Sequence, residues 1–154
     1  MSDTERFLCE AIELARNNVR NGGRPFGAVL VKDGKVIATG VNEIGATGDP
    51  TTHAELQAIR AASRVLGTPR LDGCIVYASG HPCPMCLAAM HLTGIRELAY
   101  AYSNDEGERY GLSTATIYAE MARPISAQSL KATHVPVRID GDDPYELWTA
   151  RSHP

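Results

Sequence analysis

Two short stretches, Thr52-His53-Ala54-Glu55 and Pro82-Cys83-Pro84-Met85-Cys86, decide how this chain is interpreted. Together they supply one imidazole, two thiols and one carboxylate. The imidazole of His53 and the thiolates of Cys83 and Cys86 are ligands that zinc accepts readily. Three protein ligands leave one coordination position open, whereas a structural zinc site closes with a fourth Cys or His. Glu55 is therefore predicted to lie beside the metal without binding it.

The sequence places both stretches at the N-termini of helices. Thr52 and Glu55 fit a capping box, which predicts a helix from Thr52 to about Leu66. Residues 74 to 78 form an apolar run typical of a buried strand, and Cys83 is predicted to open the next helix. A helix N-terminus lowers thiol pKa values and disfavours a protonated histidine, so both stretches favour metal binding.

The pattern of the remaining chain predicts one α/β layered domain with a mixed sheet. The 154 residues are enough for one domain. A capping box at residues 2–5 precedes a helix, and a β-hairpin follows with its turn at Asp33-Gly34. Further strands are predicted at residues 97–102 and near 134–139, with a polar loop after 102 and helices at 115–121 and from 144. Alternating strands and helices are typical of this class.

Charge and composition narrow the functional classes. The formal net charge is -3, and no basic face is evident, so a nucleic-acid partner is not expected. No apolar run approaches 18 residues, and the first six residues lack the pattern of a signal peptide, so no membrane partner is expected. Four cysteines without an export signal are predicted to be thiols or metal ligands, which favours the cytoplasm.

A zinc ion beside a carboxylate suits hydrolytic removal of an amino group from an aromatic ring. Glu55 could take a proton from water and pass it to the ring and the leaving amine. Two simpler interpretations stay open. His53 could be a core histidine, with Cys83 and Cys86 an ordinary pair of thiols at a helix start. Alternatively, a purely structural zinc site could use Cys74 or His81 as its fourth ligand.

The joint H-x-E and P-C-x-x-C pattern matches the signature of zinc-dependent nucleobase and nucleoside deaminases. Over nearly its whole length the sequence resembles the bacterial guanine deaminases of the cytidine deaminase-like superfamily. The stretches that carry the resemblance are residues 25–29, 31–34, 49–51, 53–55, 58–60, 82–87 and 117–118. The resemblance implies a three-layer α/β/α fold with a five-stranded mixed sheet, a catalytic Zn²⁺ and a homodimer. It also implies that residues 144–154 cover the partner subunit's site, with domain swapping left open.

The resemblance also implies roles for single residues. By position, His53, Cys83 and Cys86 are the zinc ligands and Glu55 is the catalytic proton carrier. The residues implied to contact substrate are Phe26, Asn42, Ala54 through its backbone, His81, Thr114 and Trp148. Thr114 replaces an acidic residue of the guanine deaminases, Leu92 replaces an aromatic one, and His81 stands where glutamate is usual. Because a hydroxyl cannot replace a carboxylate as an acid near pH 7, strict guanine specificity is not expected.

The leading functional hypothesis is a hydrolytic deaminase of a small free nucleobase or related amino-heterocycle, releasing ammonia. Candidate substrates are guanine, isoguanine, cytosine or azacytosine, and an amino-triazine. One alternative is a tRNA adenosine deaminase, which shares the H-A-E and P-C-x-M-C forms. Its RNA-binding face should be basic, whereas this chain ends in an acidic run from Asp140 to Glu146. A zinc-stabilised binding module without turnover is the other alternative, and it leaves Glu55 without a role.

Overall fold

Helix α1 (Asp3–Arg20) opens the chain with the predicted capping box. The Glu5 backbone N–H donates to the Ser2 hydroxyl at 3.1 Å, and the Ser2 N–H donates to the Glu5 carboxylate at 2.8 Å.

The chain forms two compact units, Met1–Ala122 and Arg123–Pro154, in a computed structural model that describes residues 1–151. Within residues 1–151, no helix combines the length and apolar composition needed to cross a bilayer.

The first unit is built on a mixed sheet that begins with the predicted hairpin. Strands β1 (Gly27–Lys32) and β2 (Lys35–Val41) join at Asp33 and Gly34, whose φ angles of 51° and 74° are left-handed. Paired positive φ values are typical of the tight turn that a two-residue hairpin requires. Helices α2 (Ile44–Thr47) and α3 (Ala54–Leu66) follow the hairpin.

The rest of the sheet comes from one strand–helix–strand crossover. Strand β3 (Cys74–Gly80), helix α4 (Pro84–Thr93) and strand β4 (Glu97–Tyr102) follow in chain order. The strands lie in the order β2-β1-β3-β4, with β1 antiparallel to β2 and β3, and β3 parallel to β4. Helices α5 (Asn104–Glu108) and α6 (Ala115–Met121) complete the first unit. Helix α5 lies where the sequence predicted only a polar loop.

Two apolar clusters on opposite faces of the sheet make the first unit a three-layer structure. On one face, Phe7 and Ala11 of α1 pack against Val29, Val31 and Tyr77. On the other face, α3 and α4 contribute to a larger cluster, whose sheet residues include Ala28, Leu30, Ala38 and Val76. The alternation along β1 places its side chains in one cluster or the other, as the period of a strand requires. This arrangement confirms the predicted α/β class.

The predicted five-stranded sheet is wrong for the described residues, since only four strands form in residues 1–151. The strand expected near residues 134–139 is absent from the second unit. There the Val137 N–H donates to the Val135 carbonyl at 2.8 Å, which is a tight local turn instead of a ladder contact. Alternating apolar residues favour a strand only where a neighbouring strand pairs with them. Val135, Val137 and Ile139 are instead exposed by 64–81%.

The second unit contains two short helical segments. A 3₁₀ turn spans Ile125–Ala127, and helix α7 (Pro144–Ala150) begins where the sequence predicted it. Asp143 caps α7 by accepting from the Tyr145 and Glu146 N–H groups. The predicted C-terminal segment 144–154 extends beyond the described residues at 152–154. That both units act as one deaminase domain stays a prediction.

Candidate active site

His53 and Cys83 occupy equivalent positions, each as the N-cap residue of a helix. Their backbones are extended, with φ and ψ of -71° and 154° for His53 and of -70° and 165° for Cys83. Neither side chain caps its own helix, so the imidazole and the thiol point away from the backbone N–H groups. Pro84 at the first helical position fixes the start of α4.

The predicted capping box at Thr52 is wrong. Helix α3 begins at Ala54 with His53 as its N-cap and with no side-chain cap. The Thr52 hydroxyl is already used, because it donates to the Asp49 carbonyl at 2.7 Å and lies 3.2 Å from the Thr47 hydroxyl. The helix therefore starts two residues late, and Glu55 lies in its first turn.

Three metal-ligand atoms converge between the two helix starts. The Nδ1 atom of His53 lies 3.3 Å from Cys83 Sγ and 3.6 Å from Cys86 Sγ. The two sulfurs are 3.6 Å apart. Zn–N and Zn–S bonds of about 2.1 and 2.3 Å in a tetrahedron require N–S and S–S separations of roughly 3.6 and 3.8 Å. The observed triangle is close to those values, so the three residues fit a zinc ion.

The described residues provide no fourth protein ligand. His53, Cys83 and Cys86 are the full group within 4.8 Å of one another in residues 1–151. Cys74 belongs to the apolar cluster beneath α3, and the ring of His81 stacks on Tyr100 at 4.6 Å. Neither candidate for a closed structural site therefore belongs to the ligand group of the described residues. A site with three protein ligands and an open position is typical of catalytic zinc.

Glu55 lies against the ligand group and is buried, with 5% of its surface exposed. The Cys86 thiol donates to Glu55 Oε2 at 3.4 Å. Burial raises the pKa of the Glu55 carboxyl, because a low-dielectric environment disfavours the charged form. A raised pKa brings the carboxyl closer to the ambient pH, which suits a group that both accepts and releases a proton.

His53, Cys83 and Glu55 line a cavity of about 150 Å³ in the first unit. Seven of the residues singled out from the sequence line it: Phe26, Asn42, His53, Glu55, His81, Cys83 and Thr114. Cys86 is fully buried and is not a lining residue. Ala54 is also fully buried and is not a lining residue. Trp148 lies in α7 of the second unit, so its predicted substrate contact stays a prediction.

Sequence and structure comparisons identify the protein family. A profile of the cytidine and deoxycytidylate deaminase zinc-binding region matches residues 1–102. The chain belongs to this family. The deaminase is 40% identical to a guanine deaminase of Bacillus subtilis, over 94% of this chain and 92% of that protein. It is also 38% identical to a tRNA-specific adenosine deaminase of Aquifex aeolicus, over only 63% of this chain and 64% of that protein.

Solved structures agree with the family assignment. The X-ray structure of a guanine deaminase from Bacillus subtilis matches with a TM-score of 0.88 and 38% identity, covering 97% of this chain and 96% of that chain. A guanine deaminase from Nitrosomonas europaea matches with a TM-score of 0.66 and 31% identity, covering 70% of this chain and 63% of that chain. This protein is a zinc-dependent hydrolytic deaminase.

The two thiols of the deaminase have opposite pKa shifts. Hydrogen bonding with Cys86 lowers the pKa of Cys83 to about 4. Hydrogen bonding with Cys83, burial and the nearby Glu55 carboxylate all raise the pKa of Cys86. Cys83 is therefore a thiolate at neutral pH, the form that zinc binds. Zinc binding must release the proton of Cys86, which makes metal affinity fall at low pH.

Thr114 presents an unpaired polar atom. Its hydroxyl is a buried side-chain oxygen that has no hydrogen-bond partner in residues 1–151. The backbone is fixed, because the Thr114 N–H donates to Asn104 Oδ1 at 3.2 Å. A buried hydroxyl without a partner costs about 1–3 kcal/mol. This atom is therefore available to a molecule bound in the cavity.

Sequence reasoning missed several residues of the site. Arg24, Gly111, Leu112 and Ser113 also line the cavity, and none of them belongs to a metal or acid–base motif. Tyr118 donates its hydroxyl hydrogen to the Pro82 carbonyl, next to Cys83. Partial burial raises the pKa of this phenol to about 12, so it remains a donor. The shared Ile117-Tyr118 stretch was the one available signal for that contact.

A larger cavity of about 310 Å³ adjoins the first and shares Phe26, His81 and Leu112 with it. It contains none of the metal ligands and does not include Glu55. Ser103 and Glu106 on its wall are already bonded to each other's backbone N–H groups. The reaction chemistry therefore belongs to the smaller cavity.

Proposed function

We propose that this deaminase removes an amino group from a small free nucleobase or related amino-heterocycle. The observation that carries the proposal is the buried Glu55 beside three zinc-ligand atoms, in a cavity of about 150 Å³. That volume suits a single heterocycle. The candidate substrates are guanine, isoguanine, cytosine or azacytosine, and amino-triazines. Water is consumed, an oxo-heterocycle is formed and ammonia is released.

His53, Cys83 and Cys86 would hold the zinc ion, which supplies Lewis-acid activation of water at neutral pH when bound. Glu55 is proposed to take the proton from the attacking water oxygen. It then passes that proton to the ring nitrogen, and carries the second proton of the former water from the added oxygen to the amine, which leaves as ammonia. Burial of Glu55 supports this role, because its raised pKa allows the carboxyl to exchange protons in both directions.

Asn42 and Phe26 are proposed to orient the ring. Asn42 is 4% exposed, and its Oδ1 accepts from the Ile44 N–H at 3.1 Å, which leaves its NH₂ group for a ring acceptor. Phe26 contributes an apolar wall to the cavity. The Ala54 backbone N–H, at the first residue of α3, is proposed as a further donor.

Thr114 and His81 are proposed to set the substrate preference. Guanine deaminases, which the sequence resembles, carry acidic residues at these positions, and this cavity has a neutral hydroxyl and an imidazole there. Leu92, the third departure from the resemblance, is 79% exposed and does not line the cavity. We therefore attribute a substrate preference different from that of the guanine deaminases mainly to Thr114. Thr114→Asp is expected to raise guanine turnover, and an unchanged or lower rate would count against this assignment.

We further propose a homodimer in which the C-terminal segment with Trp148 covers the partner subunit's site. Strand β4 forms an edge of the sheet, with Tyr100 and Tyr102 exposed. In the second unit, Val135, Val137 and Ile139 are exposed at alternating positions. A second copy could add these residues as a fifth strand. Sedimentation should give twice the 16.6 kDa chain mass. A fully active monomer would refute this proposal.

We also propose a cytoplasmic location, where a reducing environment keeps Cys83 and Cys86 available as thiolate ligands. The test of the function is ammonia release by zinc-loaded protein from free bases, their nucleosides, triazines and tRNA. Turnover of at least one free base or triazine, above the nucleosides and tRNA, is the expected result. Preference for adenosine in tRNA, or no release from any compound, would refute the proposal.

A further inference from the structure

Arg24 is a cationic residue on the wall of the catalytic cavity. It lines the same cavity as His53 and Glu55. In residues 1–151, its guanidinium makes no hydrogen bond to the protein, and no carboxylate lies within 4.0 Å of it. Glu55 in particular does not pair with Arg24, and its carboxylate accepts from the Cys86 thiol instead.

The backbone of Arg24 is held in place at the rim of the cavity. Its carbonyl accepts from Asn18 Nδ2 at 2.8 Å and from the Phe26 N–H at 2.9 Å. The same Asn18 amide donates to the Asn42 carbonyl at 2.9 Å. A Cβ at Gly23 would come within 2.5 Å of the Asn18 side chain, so this contact also requires the glycine. One side chain of α1 therefore fixes two cavity residues together.

The charges of the site make Arg24 the cation available to a ligand. A zinc ion with the two thiolates of Cys83 and Cys86 has no net formal charge, and a ligating His53 is neutral. Among the residues that line the cavity, Arg24 is then the side chain with a permanent positive charge. Guanidinium groups bind carboxylate and other anionic oxygens in a paired geometry.

We propose that Arg24 is a specificity-determining residue that binds a negatively charged oxygen on the substrate. The substrate class is then an amino-heterocycle that carries either a carboxylate group or an ionised oxygen atom attached to the ring. This inference rests on the proposed function and specifies its substrate. The unpaired hydroxyl of Thr114 and the free NH₂ group of Asn42 add two neutral donors to the same cavity. The cavity is thus equipped for a ligand rich in acceptors.

Binding of unreactive, product-like rings to zinc-loaded protein tests the proposal by calorimetry. The first arm compares uracil-5-carboxylate and uracil-6-carboxylate with their carboxamides, which match them in shape and lack the charge. The second arm compares barbiturate, whose ring is ionised at neutral pH, with neutral uracil. Since Arg24 is exposed to solvent, the advantage of an anion should be about tenfold to a hundredfold in Kd, the range of a charge-assisted hydrogen bond.

Arg24→Gln should abolish the anion advantage, and Arg24→Lys should retain part of it. Arg20→Gln is the matched control, because it removes the same charge four residues earlier without altering the cavity lining. Tighter binding of the carboxylates than of their carboxamides indicates a substrate with a carboxylate group. Tighter binding of barbiturate alone indicates a substrate with an ionised oxygen attached to the ring. Equal binding of every anion and its neutral partner, no binding of any ring, or an advantage that survives Arg24→Gln would overturn the inference.

The same protein preparations separate this inference from the proposed function. Ammonia release from neutral bases, without preference for anionic rings, would uphold the deaminase and reject the role of Arg24. An Arg24-dependent anion preference in binding, without ammonia release from any heterocycle, would uphold the anion site and reject the proposed reaction.

Discussion

Gly40 allows helix α3 to pack directly on strand β2, and a single methyl group at this position should disturb the site. A Cβ added to Gly40 would collide with the Ala54 carbonyl and come 2.6 Å from the Ala58 nitrogen. Both contacts are backbone atoms, so no side chain can rotate to make room. An ordinary contact begins at 3.4 Å, so α3 would have to move by roughly 1 Å in Gly40→Ala.

The displacement would move the first turn of α3, where the proposed zinc ligand and proton carrier lie. His53 caps α3, and Glu55 lies in its first turn. Overpacking of this kind costs about 1–3 kcal/mol, which lowers Tm by roughly 3–10 °C for a chain of this size. A misplacement of about 1 Å in a catalytic group can cost around a hundredfold in rate. We therefore expect kcat/KM to fall by about ten- to a hundredfold.

Calorimetric melting, zinc titration and steady-state ammonia release measure the three consequences of Gly40→Ala. Gly45→Ala is the matched control. Gly45 lies on the exposed helix α2 with no atom within 4 Å of an added Cβ, so its Tm and activity should stay within error of the parent. If Gly40→Ala keeps the Tm, zinc affinity and activity of the parent, close helix packing at β2 does not position the site.

Three further predictions concern the cavity itself. Thr114→Val removes an unpaired buried hydroxyl, so Tm should hold or rise while KM increases about tenfold; a Tm loss of several degrees would contradict this. Zinc removal by a chelator should abolish ammonia release and lower Tm by roughly 10 °C, since a bound metal stabilises only the folded state; an unchanged melting curve argues against the site. In metal-free protein, Glu55 has a raised pKa, so its stabilising contribution exists at low pH and is lost as pH rises through that pKa. The parent should therefore lose stability relative to Glu55→Gln as the pH rises above about 4.3, the ordinary pKa of a glutamate, and parallel pH profiles of the two Tm values would refute the assignment.

The zinc-binding group could be predicted from sequence because its residues are local to two helix starts. A His at one N-cap and a C-x-x-C at another bring three donors together once β1 and β3 pair in the sheet. The start of α3 was harder to predict. Thr52 has the residue type of an N-cap, but the Asp49 carbonyl already binds its hydroxyl, and sequence spacing does not reveal that competition.

Arg24 shows why other parts of the site escaped prediction. A single arginine before a proline belongs to no motif, and its place in the cavity depends on hydrogen bonds from Asn18 on α1. The prediction of a fifth strand was wrong for a different reason. Alternating apolar residues from Val135 to Ile139 favour a strand, but a strand forms only where another pairs with it, and sequence alone does not specify which chain supplies that partner.

Glu55 is the proposed proton carrier of this zinc-dependent deaminase, and the proposed reaction requires its carboxyl group. Glu55→Gln keeps the size and shape of the side chain and removes its acid–base function. The decisive measurement is ammonia release by zinc-loaded parent and variant protein at equal zinc content, with the substrate that the parent turns over fastest. We predict a fall in kcat of about a hundredfold or more, with zinc affinity retained. A variant that releases ammonia at the parental rate would contradict the proposed mechanism.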